Sequence, residues 1–171
     1  MKRPQAEEFG AFYKGYIDAV EDDVVTEIRQ QQTSLPALMR ANTAKANFAY
    51  ADEKWTLKEL LGHMIDTERV MAYRLLRVSR NDSTPLPGFD ENNFVKFSGH
   101  RNADFEKLIQ EFEVVRRSTL FLIENLTEEQ LNYRGTASGY PISGRALVFI
   151  IAGHLKHHVK IMRERYLQEI L

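Results

Sequence analysis

Apolar residues in this chain recur every three or four positions through four long runs. No stretch keeps up the alternation of apolar and polar residues that a half-buried strand requires. That period restricts the chain to helices packed on helices. The first run extends from about Asp22 to Ala41, with Val24, Val25, Ile28, Leu35, Leu38 and Met39 on one face. Pro36 lies inside it. A proline there removes a backbone hydrogen bond and crowds the preceding turn, so a kink or restart is expected. A shorter helix over Phe9 to Ala19 precedes this run. The second run opens on Thr56-Leu57-Lys58-Glu59, a capping box in which each polar side chain satisfies an orphan amide of the first turn. It continues to about Arg80. The third covers about Asp104 to Asn125, and a second capping box, Thr127-Glu128-Glu129-Gln130, starts a short turn after it. Ser143 caps the fourth run, which ends near Leu167. Asn-Gly and Asp-Gly hairpin turns are missing, so no strand is expected. The predicted architecture is an all-α four-helix bundle, and periodicity leaves the order of the helices open.

Asn81 to Arg101 reads as one long loop, punctuated by Pro85, Pro87, Gly88 and Gly99. Phe89, Phe94 and Phe97 within it point to an ordered, packed segment. Arg134 to Tyr140 reads as a glycine-rich turn. The 171 residues, positions 1–171, are expected to form a single domain. Lys and Arg number 23 against 24 Asp and Glu, a balance that speaks against holding nucleic acid through an overall field. The chain has no cysteine, which excludes disulfides, thiolate metal sites and cysteine nucleophiles and fits a cytoplasmic protein. The N-terminus lacks the apolar run of a secretory leader. The longest apolar run, Ala146 to Ala152, is too short to span a bilayer, so no membrane association is expected.

Three of the five histidines, His154, His157 and His158, crowd the last helix. Residues four apart on a helix differ by only about 40° around the axis, so His154 and His158 share a face. That face also carries Leu147, Ile151, Leu155 and Met162, which turns both imidazoles toward the core. Buried imidazoles need partners, and one shared metal ion satisfies two at once. An i, i+3 pair of His154 with His157 can also chelate. The apolar stripe is centred nearer His158, so His154 with His158 is preferred, and His157 reads as a supporting or solvent-facing residue. A catalytic zinc usually has three protein ligands, and His63, at the edge of the second helix's stripe, is the candidate third. Gly62 and Gly153 each precede a histidine in mid-helix, where a glycine costs about 1 kcal/mol relative to alanine. Close approach of another element is expected at both. His100 reads as structural or solvated, and Glu59 and Asp66 as partners of His63 or surface charges. Glu68, central in an apolar stripe, needs a cationic partner, and Arg165 is the candidate.

Three separated segments resemble DinB-like proteins in the same order. They are Trp55 to Arg69, with Gly62-His63-Met64-Ile65-Asp66 at its centre; Pro85-Leu86-Pro87-Gly88-Phe89-Asp90; and Ile151-Ala152-Gly153-His154-Leu155-Lys156-His157-His158 followed by Arg163-Glu164-Arg165-Tyr166. The likeness extends from about Tyr13 to Leu167 and is distinct from the DNA polymerase that shares the name. It implies a four-helix bundle in up-down-down-up order and a divalent metal held by His63, His154 and His158. It also implies a metal-dependent hydrolase, or a thiol S-transferase using bacillithiol or mycothiol, and homodimers. The stress-inducible expression behind the family name says nothing of DNA binding.

Three neutral imidazoles leave a metal its full charge and open positions, so a bound water or thiol loses its proton more readily. Zinc is the first expectation; nickel, iron and manganese also suit imidazole. Hydrolysis wants a general base beside the water, and no carboxylate on the His154–His158 face provides one. A thiol S-transferase acting on electrophilic small molecules, with a low-molecular-weight thiol as cosubstrate, is therefore the leading expectation. A metal-dependent hydrolase and a non-enzymatic metal-binding bundle are the alternatives.

Overall fold

The computed structural model describes residues 1–167. Four long helices dominate: α2 (Val24–Ala41), α3 (Leu57–Ser79), α5 (Phe105–Glu124) and α7 (Gly144–Ile161). Shorter pieces are α1 (Lys14–Asp18), α4 (Glu91–Ser98) and α6 (Glu128–Asn132). Side-chain oxygens of Asp23, Thr56, Asp104 and Ser143 cap the four long helices, each accepting an orphan amide three residues on. Both capping boxes expected from the sequence are present.

Cross-helix contacts give the order. Arg29 pairs with Glu124 and Arg40 with Glu106, so α2 and α5 are antiparallel. His100 packs against Gly62 near the start of α3, and Arg69 further along pairs with Glu111, so α5 runs parallel to α3. The Tyr166 hydroxyl donates to the Trp55 carbonyl while His63 meets His158, so α7 is antiparallel to α3. The bundle is therefore up-down-down-up, with α2 packed on α5 and α7. A parallel α3–α5 pair forces the connection between them to travel back along the bundle.

That connection is not the plain loop expected. Asp90 caps α4, and Gly99, at φ +76°, ends it in the left-handed conformation that favours glycine. Nor is the chain free of strands. Arg134–Ala137 (β1) and Tyr140–Ser143 (β2) form an antiparallel hairpin with Ala137 opposite Tyr140. Ser138 and Gly139 close it with φ of 54° and 81°, the paired positive values of a primed turn. A Ser-Gly turn does this work in place of the Asn-Gly or Asp-Gly signals. Pro36 does not interrupt α2. The carbonyl left without its usual amide donor belongs to Gln32, a partly exposed residue. The last helix turns from α to π winding at Met162–Tyr166.

The core has two apolar halves. Val24, Ile28, Met71, Leu75, Leu120 and Phe149 belong to one, and Leu35, Met39, Leu61, Ile65, Phe112 and Leu155 to the other. Between them lies a polar layer that touches all four long helices. Glu68 on α3 pairs with Arg116 on α5 at 2.8 Å, and both are almost fully buried. Arg116 also donates to the Gln31 side-chain Oε1 on α2 at 2.9 Å, and the Gln31 side-chain Nε2 donates to the Ala152 backbone carbonyl on α7 at 3.0 Å. The partner of Glu68 is thus Arg116 and not Arg165. Because α7 runs antiparallel to α3, Arg165 lies near the Trp55 end, several turns from Glu68, and is exposed.

Candidate metal centre

His63, His154 and His158 meet at the margin of this polar layer, each more than nine-tenths buried. Their Nε2 atoms form a nearly equilateral triangle: 3.1 Å from His63 to His154, 3.2 Å from His63 to His158, and 3.1 Å between the two residues of α7. These are the three histidines expected from spacing and resemblance. His157 does not join them. It is exposed, and its ring lies 5.3 Å from Tyr16 and 5.0 Å from that of His158.

The triangle is poorly satisfied by hydrogen bonds alone. A neutral imidazole Nε2 carries one proton or one lone pair, so three in mutual contact leave at least one edge with like facing like. A cation accepts all three lone pairs. Metal–imidazole bonds of about 2.0–2.1 Å place neighbouring nitrogens a little over 3 Å apart, which is the spacing found. The protonation state fits too. Burial pushes His63 down to about 4 and His158 down to about 3, and holds His154 well below the ordinary histidine value. All three are neutral at pH 7. Among the described residues no fourth His, Asp or Glu joins the group.

Neighbouring elements orient the rings. The Trp55 ring lies 4.8 Å from that of His63, and the Tyr16 ring meets His154 edge-on at 5.6 Å. The π turn after α7 carries the Tyr166 hydroxyl to the Trp55 carbonyl, at 2.8 Å, and so fixes the residue behind His63. The two mid-helix glycines act by close approach, as expected. A Cβ on Gly153 would overlap the Tyr16 carbonyl, and one on Gly62 would overlap the His100 ring. His100 is structural: its Nε2 lies 3.0 Å from an Asp66 carboxylate oxygen. Glu59 is committed to its capping box.

In front of the triad lies a cavity of about 450 Å³. Tyr16, Trp55, Phe12 and Phe89 form aromatic walls. Thr67, one turn beyond His63, lines it with a buried hydroxyl that has no partner among the described residues. Arg74 and Glu91 are its charged members. The Glu91 carboxylate lies close enough to raise the pKa of His63 against the larger effect of burial. A smaller cavity of about 240 Å³ shares Trp55 and His158 with it, so the triad has two approaches. Sequence reasoning missed Glu91, Arg74 and Trp55. Asp90, an N-cap residue directly before Glu91, was the available signal for a helix there.

The chain is similar to known proteins. A protein of Oceanobacillus iheyensis, provisionally named a metal-dependent hydrolase, is 27% identical over 120 residues, covering 69% of this chain and 68% of its own. Among solved structures, YfiT from Bacillus subtilis, described as a candidate metal-dependent hydrolase with an unusual four-helix bundle topology, superposes with a TM-score of 0.70. It covers 85% of this chain and 89% of its own at 17% identity, a likeness of fold. The family model of the DinB superfamily matches residues 27–162, from α2 through the histidine pair of α7 to the start of the π turn. With that match over most of its length, and with its histidines gathered as the resemblance implied, the chain belongs to the DinB superfamily.

Proposed function

We propose that this protein is a metal-dependent hydrolase of small-molecule esters or amides, working at His63, His154 and His158. One observation carries the reading: three buried, neutral Nε2 atoms converge on one point at the edge of an aromatic cavity. A divalent ion held there, with zinc first and nickel, iron or manganese as alternatives, supplies Lewis acidity and makes a ligated water or thiol more acidic. Glu91 is the carboxylate that the His154–His158 face itself does not provide. It lines the cavity beside His63 and can take the proton that the nucleophile releases. The unpartnered Thr67 hydroxyl can donate to a substrate oxygen. Tyr16 and Trp55 hold an apolar substrate body and keep water from it. The adjoining cavity and the absence, among the described residues, of a fourth His, Asp or Glu beside the triad argue for a catalytic rather than a structural metal site.

Thiol S-transfer is the second reading, favoured by the two approaches that meet at Trp55 and His158. A low-molecular-weight thiol of the bacillithiol or mycothiol type can use one approach and an electrophile the other.

Metal content of untagged protein, wild type beside His158→Ala, is the first test. About one equivalent in wild type and none in the variant is expected; no metal in either, after incubation with zinc and nickel, overturns both readings. Loaded protein is then assayed on nitrophenyl esters, and on chlorodinitrobenzene with cysteine as thiol. Glu91→Gln should lower hydrolysis about 100-fold, the scale of a lost general base. Thiol turnover without ester turnover would establish the second reading.

A further inference from the structure

Arg74 is a charged member of this cavity that metal chemistry does not use. It is 2% exposed and lies on α3 eleven residues after His63, three helical turns along the same face, roughly 16 Å away along the axis. Its guanidinium donates to the Tyr13 hydroxyl at 3.3 Å, the Pro87 carbonyl at 2.7 Å and the Ser138 hydroxyl at 3.0 Å. All three acceptors are neutral. Among the described residues no carboxylate pairs with it, although the equally buried Arg116 has Glu68. A strut between α3, the Pro87 segment and the hairpin needs donors but no charge, and an unpaired buried charge is costly.

The two hydroxyls add to the pattern. Tyr13 and Ser138 both line the cavity, and both spend an acceptor site on Arg74. Their own protons remain, and among the described residues neither has an acceptor. A cation and two O–H donors therefore gather at the end of the cavity remote from the histidines. That array is complementary to an oxyanion. Glu91, the cavity's other charged group, acts electrostatically on His63 and Tyr16, toward the metal end.

We propose that Arg74, Tyr13 and Ser138 form a carboxylate-binding subsite, and that the substrate is an elongated, largely apolar carboxylate whose reacting group lies at the histidines. The subsite rests on the reading of this cavity as the substrate chamber, but not on the metal. Phe89, whose ring centroid is 5.9 Å from the guanidinium carbon, and Met71 line the apolar path between the two ends.

The test compares 4-phenylbutyrate with its neutral amide at pH 7, by titration of isotope-labelled full-length protein, zinc-loaded and chelator-treated. Wild type should bind the carboxylate about tenfold more tightly, as a charge-assisted hydrogen bond predicts, with or without zinc. The amide signals of Ser138 and Gly139 should move with the carboxylate alone. Arg74→Gln should bring the two affinities together while leaving that for the neutral amide unchanged, and Arg74→Lys should keep part of the preference. Equal affinities, no binding of either probe, or a preference that survives Arg74→Gln overturns the subsite. So does a preference that disappears with the zinc, since it then belongs to the metal. If Arg74→Gln does not fold, the wild-type titration and its Ser138 shifts decide. A wild type that takes neither zinc nor nickel yet prefers the carboxylate sinks the hydrolase reading and leaves the subsite standing.

Discussion

Burial has a cost for each histidine of the triad that depends on pH. Folding holds His63 down to about 4 and His158 down to about 3, against an ordinary value near 6.5. As pH falls through about 6.5, the unfolded chain takes up protons that the folded chain refuses. Stability present above that pH is therefore lost progressively, down toward about 4 for His63 and about 3 for His158. Urea unfolding of metal-free protein between pH 7.5 and 4.5 should show this decline, and His63→Gln with His158→Gln should flatten it. Saturating zinc should push the decline to lower pH, because a metal-bound lone pair cannot take a proton. Gly153 gives a second prediction at this scale. Helix propensity alone says that Gly153→Ala stabilises by about 1 kcal/mol. The Tyr16 carbonyl occupies the space a methyl group needs. The substitution should instead destabilise by about 1–3 kcal/mol in thermal melts, the scale of overpacking.

The long helices meet at the polar layer, and there Arg116 holds α5 to α3 and α2. Arg116→Met leaves Glu68 buried and unpaired and should cost about 3–5 kcal/mol in denaturant unfolding. Glu68→Met with Arg116→Met removes both charges and should recover much of that loss, so the double variant falls well short of the sum. Additive losses would show that the pair is not coupled. Element by element, what the sequence made legible follows a physical rule. The four long helices and both capping boxes are written in local residues, as period and as cap chemistry, and they form where expected. The α4 helix and the hairpin are short, and tertiary contacts hold them: α4 packs on α3, while in the hairpin Leu86 bonds to Thr136 and Ser138 and Phe9 bridges to Ile142. Periodicity has too few residues to register either one. The site divides the same way. His154 and His158 were readable because one helix face carries both, whereas Trp55, Arg74, Glu91 and Ser138 come from separate segments that only the folded chain gathers. Glu68 was readable as a buried charge, but its partner depended on the helix order, which the period does not encode.

At the scale of the whole molecule, a metal that binds the folded triad and not the unfolded chain adds its binding free energy to stability. At a hundredfold excess over its dissociation constant that is about 2.7 kcal/mol. Zinc should raise the melting temperature of wild type and leave that of His158→Ala unmoved; an equal rise in both would place the metal elsewhere. The parallel pairing of α3 and α5 has a further consequence. It obliges the chain to return along the bundle between Arg80 and Asp104, and that return passes the mouth of the cavity, where it supplies Phe89 and Glu91. The hairpin supplies Ser138 from outside the bundle as well. The histidine triangle is thus built on the helical scaffold, and much of the cavity's lining on segments laid over it. Changes at Phe89, Glu91 or Ser138 can alter which molecules are accepted while the helix packing and the histidine triangle stay as they are. A lineage with this topology can diversify its chemistry of recognition without rebuilding its core.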